Sequence, residues 1–209
     1  MRSDCIASSP DGISESDEVP PSHEGAFGGI QATFLRPAGG VEGNKGRTLY
    51  TTMKSLLIVI SYHHGNTEKI ARVFAEVLDA EISAPKQIRS EELQEYDLIG
   101  FGSGIYDAKH HTDLLDLADA LTRVSNKKAF IFSTSSMIGE AQVAVDHSTL
   151  RDKLQSKGYA VVGEFGCKGF NTNSFLRHFG GLNKGRPNAE DLRHAEEFAK
   201  NLKQRLHAT

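Results

Sequence analysis

Short apolar runs alternate along the chain with segments whose apolar residues recur at helical spacing. The runs have the length of buried strands and lie at residues 56–60, 98–102, 129–133 and 160–165, with an edge-like stretch at 81–84 that ends at Pro85. Helical periodicity covers residues 65–79, 113–124, 139–156 and 189–206. The run at 56–60 is apolar at every position, as expected for a central strand covered on both faces.

Strands that alternate with helices favour a parallel sheet, because each helix returns the chain to the same end of the sheet. The pattern therefore predicts an α/β fold with three layers, α/β/α. Ligands of such sheets bind outside the carboxyl ends of the strands. The loops to consider are thus residues 61–67, 103–111, 133–139 and 167–187. The last of these is long enough to cover a ligand or to form a dimer contact.

Residues 1–52 differ in composition from the rest of the chain. They hold 8 of the 20 glycines and 4 of the 6 prolines, without sustained periodicity. We interpret them as a disordered N-terminal extension and residues 53–209 as the folded domain. Met53 stands directly before the first strong strand, so an upstream start is an alternative origin of the extension. A docking or targeting arm is the functional alternative.

Charge and cysteine content limit the class of protein. With 7 acidic and 4 basic residues in 1–52, the folded domain keeps 27 − 7 = 20 acidic and 24 − 4 = 20 basic residues, which disfavours a nucleic-acid binder. The longest apolar run is far shorter than the roughly 20 residues of a membrane span. Cys5 and Cys167 cannot build a disulfide framework, and no secretory signal is visible, so we expect a cytoplasmic protein.

The first of these loops, residues 61–67, has the features of an anion site. It leaves a buried strand and enters a helix whose first N–H groups are unpaired and partially positive. Gly65 permits close backbone approach, and the side chains of Asn66 and Thr67 can bind phosphate oxygens. The alternative is an ordinary turn with Asn66 or Thr67 as the N-cap. The glycine motifs of dinucleotide-binding domains and P-loop hydrolases do not occur.

The next two loops offer a ring and a row of hydroxyl groups. Residues 102–106 combine small side chains with Tyr106, on which a flat aromatic ligand can stack. The alternative is a tyrosine that packs on its own loop. Residues 133–136 carry consecutive hydroxyl groups, which can bind carbonyl or phosphate oxygens or simply complete a turn.

Together these three loops resemble the flavodoxin family. The resemblance extends over residues 54 to about 205 and rests on Gly65, Asn66, Thr67 and Glu68 between strand and helix, on residues 102–106, and on the five-strand rhythm. It implies a flavodoxin-like, doubly wound five-stranded parallel sheet with strand order 2-1-3-4-5. It also implies FMN as the cofactor.

In flavodoxins the first loop holds the FMN phosphate, while the other two flank the isoalloxazine ring. The resemblance therefore implies cofactor contacts by Tyr62, His63, His64, Gly65, Asn66, Thr67, Ser103, Gly104, Ile105, Tyr106, Ser133, Thr134, Ser135 and Ser136. This sequence departs from the family where Tyr62 and His64 replace hydroxyl residues. Met137 and Ile138 stand where many members have a second stacking aromatic residue. No catalytic or metal-binding residue is assigned.

The resulting hypothesis is an FMN-binding electron-transfer protein. It would work with a redox partner protein such as a flavin or iron–sulfur reductase, as a monomer or a homodimer. One alternative is an FMN-dependent NAD(P)H oxidoreductase acting on quinones or nitro compounds, and another is a flavin-free binding module on the same fold. The pairs His63–His64 and His110–His111 can share one rim, but no carboxylate or thiolate spacing supports a metal site.

Overall fold

The structure is a computed structural model that describes residues 53–137, 139–172 and 180–208. The predicted N-terminal extension lies outside the described residues. So do Ile138 and residues 173–179 of the long last connection. The described residues thus fall within the folded domain predicted from Met53 onward.

Six strands and five helices make up the described residues. The strands are β1 (Ser55–Ile60), β2 (Ala80–Ser83), β3 (Leu98–Tyr106), β4 (Lys109–His110), β5 (Lys127–Ser135) and β6 (Tyr159–Lys168). The helices are α1 (Asn66–Leu78), α2 (Thr112–Ala120), α3 (Glu140–Asp146), α4 (Ser148–Ser156) and α5 (Ala189–His207). Two short 3₁₀ turns, Pro85–Gln87 and Glu92–Glu95, connect β2 to β3. None of the described helices is long and apolar enough to cross a membrane.

All strands except β4 pair in parallel, in the order β2-β1-β3-β5-β6. Numbered among themselves, these strands have the order 2-1-3-4-5, so the predicted fold is confirmed. The strand β4 was not predicted; it pairs antiparallel with the end of β3 through a two-residue turn.

Each face of the sheet buries its own hydrophobic core, as the fully apolar β1 requires. On one face α2 and α4 pack against side chains such as Ile58, Phe101 and Ile131. On the other face α1 and α5 cover a cluster of aromatic rings. Phe74 lies at its centre, with its ring centroid 5.5, 5.1 and 5.5 Å from those of Phe130, Phe132 and Phe165, in edge-to-face geometry.

Two helices differ from the sequence prediction for local reasons. The helix predicted at 139–156 is divided into α3 and α4 at His147, whose buried side chain turns toward the sheet. The helix predicted to reach Val124 ends at Ala120, because the Val124 N–H donates to the carbonyl of Lys157 at 2.8 Å. This contact also requires Gly158, since a Cβ there would lie 1.9 Å from the Val124 oxygen.

Candidate functional site

A cleft with about 420 Å³ of empty space, including solvent at its mouth, opens at the carboxyl ends of the parallel strands. Four loops line it, and all four were singled out by the sequence; three of them carry the predicted cofactor contacts. The lining residues are Ser61, Tyr62, His63, Asn66, Thr67, Gly104, Ile105, Tyr106, Thr134, Ser135, Ser136, Gly169, Phe170 and Asn171. The strand order thus brings together segments that are more than 100 residues apart in the chain.

The turn between β1 and α1 leaves the N-terminus of the helix open. His64 and Gly65 both adopt left-handed backbone conformations, with φ of 57° and 63°. Within the described chain, the N–H groups of Gly65 and Thr67 donate to no other residue. Because unpaired N–H groups at a helix N-terminus attract negative charge, this turn can bind an anion.

The side chains of the first turn of α1 connect the loops to one another. Asn66 Nδ2 donates to the Phe170 carbonyl at 2.8 Å, and the hydroxyl oxygens of Thr67 and Thr134 are 2.8 Å apart. Neither side chain caps α1, since the N-cap is Gly65, so the alternative of an Asn66 or Thr67 cap is wrong. Asn66 Oδ1 is buried and has no partner among the described residues, which leaves one acceptor available to a hydroxyl or N–H of a ligand.

Tyr106 forms one wall of the cleft. Its ring lies over Gly104, where a Cβ would come within 3.3 Å of the ring. Burial raises the pKa of Tyr106, with a smaller contribution from Tyr62, so its hydroxyl stays neutral at physiological pH. The ring also lies near two imidazoles, 6.1 Å from His63 and 5.6 Å from His111 between centroids.

The segment after β6 closes the opposite side of the cleft. The Gly169 N–H donates to the Ser135 carbonyl at 2.8 Å, and Asn183 Nδ2 donates to the Ser136 carbonyl at 2.7 Å. A Cβ at Gly169 would lie 2.9 Å from Asn66 Nδ2, so glycine is needed for this approach. The sequence indicated that this connection could cover a ligand, with Gly169 and Phe170 among its glycines and aromatic residues, whereas Asn171 was not singled out.

Four of the predicted cofactor contacts do not line the cleft: His64, Gly65, Ser103 and Ser133. Gly65 forms the turn itself, and His64 Nε2 lies 2.7 Å from Thr172 Oγ1. Ser103 and Ser133 face the core under α2 and α4, on the same side of the sheet as Phe101 and Ile131 in the same strands. Because side chains alternate between the two faces along a strand, the sequence already indicated that both serines lie on the core face.

The histidine pairs do not converge on one centre. His110 is buried under the hairpin, whereas His63 and His64 are exposed. His111 caps α2, where its Nδ1 accepts from the Asp113 N–H at 3.1 Å, and burial lowers the pKa of His111. Across the described ranges, no three His, Cys, Asp or Glu side chains are placed to hold a metal ion.

Comparisons with known proteins agree with this architecture. A sequence profile described as a flavodoxin domain matches residues 57–169. An uncharacterized protein of Methanocaldococcus jannaschii is 47% identical over 150 residues, which cover 72% of this chain and 98% of that protein. The chain therefore belongs to the flavodoxin domain family.

Solved structures share the fold at lower identity. Oxidised flavodoxin 2 from Bacillus cereus has a TM-score of 0.57 and 21% identity, covering 73% of this chain and 99% of that protein. A flavodoxin from Streptococcus pneumoniae TIGR4 has a TM-score of 0.53 and 21% identity, covering 72% and 99%. Each likeness covers almost the whole of the solved protein, so the shared fold includes the complete domain and not only the sheet.

Proposed function

We propose that this protein binds FMN in the cleft and transfers electrons. The observation that carries the proposal is the convergence of an open helix N-terminus and the Tyr106 ring in a single cleft. FMN combines an anionic phosphate with a planar ring, so it needs both features at once. Family membership supports the same cofactor class.

The residues present fit this cofactor. The N–H groups of Gly65 and Thr67 would bind the phosphate, and Asn66 Oδ1 would accept from a ribityl hydroxyl. Tyr106 would stack on the ring, while Ser135 and Ser136 offer polar groups to its edge. The bound flavin supplies the one- and two-electron chemistry, and the chain binds it, orients it and limits its contact with water.

The partial positive charge at the N-terminus of α1 would help to hold the phosphate, whereas the net charge of the domain would not attract a redox partner. The partial positive charge of α1 acts at short range. The 20 acidic and 20 basic residues of 53–209 give this part of the chain no net formal charge that would attract an oppositely charged partner. The redox partner in this proposal is a flavin or iron–sulfur reductase in the cytoplasm, met by a monomer or homodimer through short-range contacts at the mouth of the cleft.

Titration of FMN with the purified protein, followed by flavin fluorescence, tests the proposal. We expect quenching that saturates at one FMN per chain, and weaker binding of riboflavin, which lacks the phosphate. Gly65→Val and Tyr106→Leu should each weaken FMN binding at least tenfold. Gly185→Val is the matched control for Gly65→Val, because Gly185 also has a left-handed backbone, with φ of 85°, but lies before α5 and not in the turn that leads into α1. Absence of quenching in the wild type would overturn the proposal.

An FMN-dependent NAD(P)H oxidoreductase acting on quinones or nitro compounds is the second candidate. It is favoured by the zero net charge of residues 53–209 and by the exposed side chains of Tyr62 and Met137. Steady-state oxidation of NAD(P)H with a quinone, without an added reductase, separates this enzyme from a carrier. A flavin-free module is the third candidate, since His64 binds Thr172 instead of lining the cleft, and tight FMN binding would eliminate it.

A further inference from the structure

A buried polar network lies directly beneath the cleft, on the face of the sheet covered by α2 and α4. Ser103 and Ser133 stand opposite each other in the paired strands β3 and β5. The hydroxyl of Ser103 is 2.8 Å from His110 Nδ1, and that of Ser133 is 2.8 Å from His147 Nε2. The two imidazole rings pack together with centroids 4.9 Å apart. The network joins the β3–β4 hairpin to the junction of α3 and α4.

The hydrogen bonds of Ser103 assign the proton on His110. The hydroxyl oxygen of Ser103 is 2.7 Å from the Gly104 carbonyl, which can only accept, so the hydroxyl donates there. The same oxygen accepts from the His111 N–H at 3.1 Å. His110 Nδ1 must then donate to it, which leaves His110 Nε2 as a bare acceptor. This nitrogen is buried and has no partner within the described ranges.

The groups around His110 disfavour a positive charge on its ring. His147 faces it from the α3–α4 junction, and Glu164 approaches His147 Nδ1 from β6 at 3.1 Å. Arg151 of α4 contacts both oxygens of Glu164 and compensates its charge. Burial lowers the pKa of His110 well below its usual range; His147 adds to this effect and Glu164 opposes it.

The hairpin that carries His110 is held closed by few backbone hydrogen bonds. Its strand β4 is two residues long and pairs only with the end of β3. Asp107 and Ala108 form the turn with φ of 48° and 57°, a geometry that normally selects glycine or asparagine. The turn is therefore strained, and the segment after Tyr106 is held by the hydrogen bonds among Ser103, His110 and His111 and by the packing of the His110 ring on His147.

We propose that the β3–β4 hairpin is a pH-dependent flap of the cleft, closed by neutral His110 and released with Tyr106 when His110 is protonated. In the open hairpin the imidazole meets water and regains a pKa of about 6.5. The open state then binds one proton more than the closed state below that pH. The opening constant therefore rises up to about tenfold per pH unit below about 6.5 and is independent of pH above it.

Native-state hydrogen exchange of the full chain, without added cofactor, tests the flap by NMR. The His111 amide reports directly, because it donates to Ser103, and the Ile131 amide in β5 is the reference. After correction for intrinsic exchange rates, we expect the opening constant at His111 to rise about tenfold from pH 6 to pH 5. That at Ile131 should change far less. The readout needs no flavin, so it stands or falls separately from FMN binding.

Two variants identify the titrating group. His110→Asn keeps a hydrogen-bonding group near the position of Nδ1 but does not titrate in this range, so its opening constant should be independent of pH. His207→Asn, at an exposed position at the end of α5, should behave as the wild type.

Three results would overturn the proposal. The first is a wild-type opening constant at His111 that does not change between pH 6.5 and 5. The second is a slope that persists in His110→Asn. If that variant does not fold, Ala108→Gly provides the second test. This substitution should lower the opening constant at His111 by the same factor at every pH, so its dependence on pH should keep the wild-type slope. Loss of the slope in Ala108→Gly is the third contradicting result.

Discussion

Replacing Glu164 by Gln tests the ionic connection between β6 and α4. Arg151 Nε and Nη2 donate to the two carboxylate oxygens of Glu164 at 2.5 and 2.7 Å, and His147 Nδ1 lies 3.1 Å from one of them. The Glu164 side chain is 23% exposed, so the ion pair is only partly screened by solvent. Gln keeps the shape of the side chain and removes the charge.

The pKa of Glu164 gives the size of the effect. Partial burial alone would raise this pKa, but the hydrogen bonds from Arg151 and His147 outweigh burial and lower it to about 2, from 4.5. At 1.36 kcal/mol per pH unit, this difference corresponds to about 3 kcal/mol of stability at neutral pH. Partial exposure reduces the figure, so we expect Glu164→Gln to lower the free energy of unfolding by about 2 kcal/mol.

Urea unfolding at a series of pH values measures this effect. Because the pKa of Glu164 is lowered in the folded state, its contribution is present above pH 4.5 and is lost as the pH falls toward 2. The gap between wild type and Glu164→Gln should therefore narrow over that window. Glu197→Gln is the control, since Glu197 pairs with Arg193 at an exposed position and should change stability by less than about 0.5 kcal/mol.

Equal losses of unfolding free energy in Glu164→Gln and Glu197→Gln at pH 7 would refute a stabilising role of the ion pair between Glu164 and Arg151. A gap that widens as the pH falls from 4.5 would refute it as well, because a group with a lowered pKa can only lose its contribution in that direction.

Three other substitutions have definite expected outcomes. Ala108→Gly should raise the free energy of unfolding by roughly 1 kcal/mol in urea titrations, since it removes a left-handed L-residue from the hairpin turn. Gly169→Ala should weaken FMN binding in fluorescence titrations, because its Cβ displaces Asn66 Nδ2 from the Phe170 carbonyl; unchanged affinity would contradict the site. Phe74→Ala should cost about 3–5 kcal/mol in thermal or urea unfolding, as it empties the centre of the aromatic cluster, and a loss below about 1 kcal/mol would be inconsistent with that packing.

The fold was predictable because its signals are long and regular. The apolar run of β1 and the alternation of strands with helices suffice for the sheet and its two covered faces. The hairpin was not predictable, because β4 has only two residues and the turn of Asp107 and Ala108 lacks the usual glycine. The break at His147 is invisible to periodicity, since it depends on distant partners, Ser133 and Glu164.

The sequence predicts which loops form the candidate site, but it predicts only part of the residues that line the cleft. Ten of the fourteen predicted contacts line the cleft, because loops after neighbouring parallel strands meet at one edge. Ser103 and Ser133 were assigned by their place in a loop, although the alternation along their strands puts them on the other face. Gly169 and Phe170 belong to the long last connection, which was expected at this edge, but their bonds to Ser135 and Asn66 depend on tertiary contacts that no local pattern encodes.

The most direct test of the FMN site is a map of amide chemical shifts in the ¹⁵N-labelled protein on addition of FMN. We expect the largest changes at Gly65, in the turn before α1, and at the cleft residues 66–67, 104–106, 134–136 and 169–171. The amides of Lys54 and Glu81, at the other end of the sheet, should move little. Changes concentrated at that other end, or none at saturating FMN, would contradict the assignment of the cleft as the flavin site.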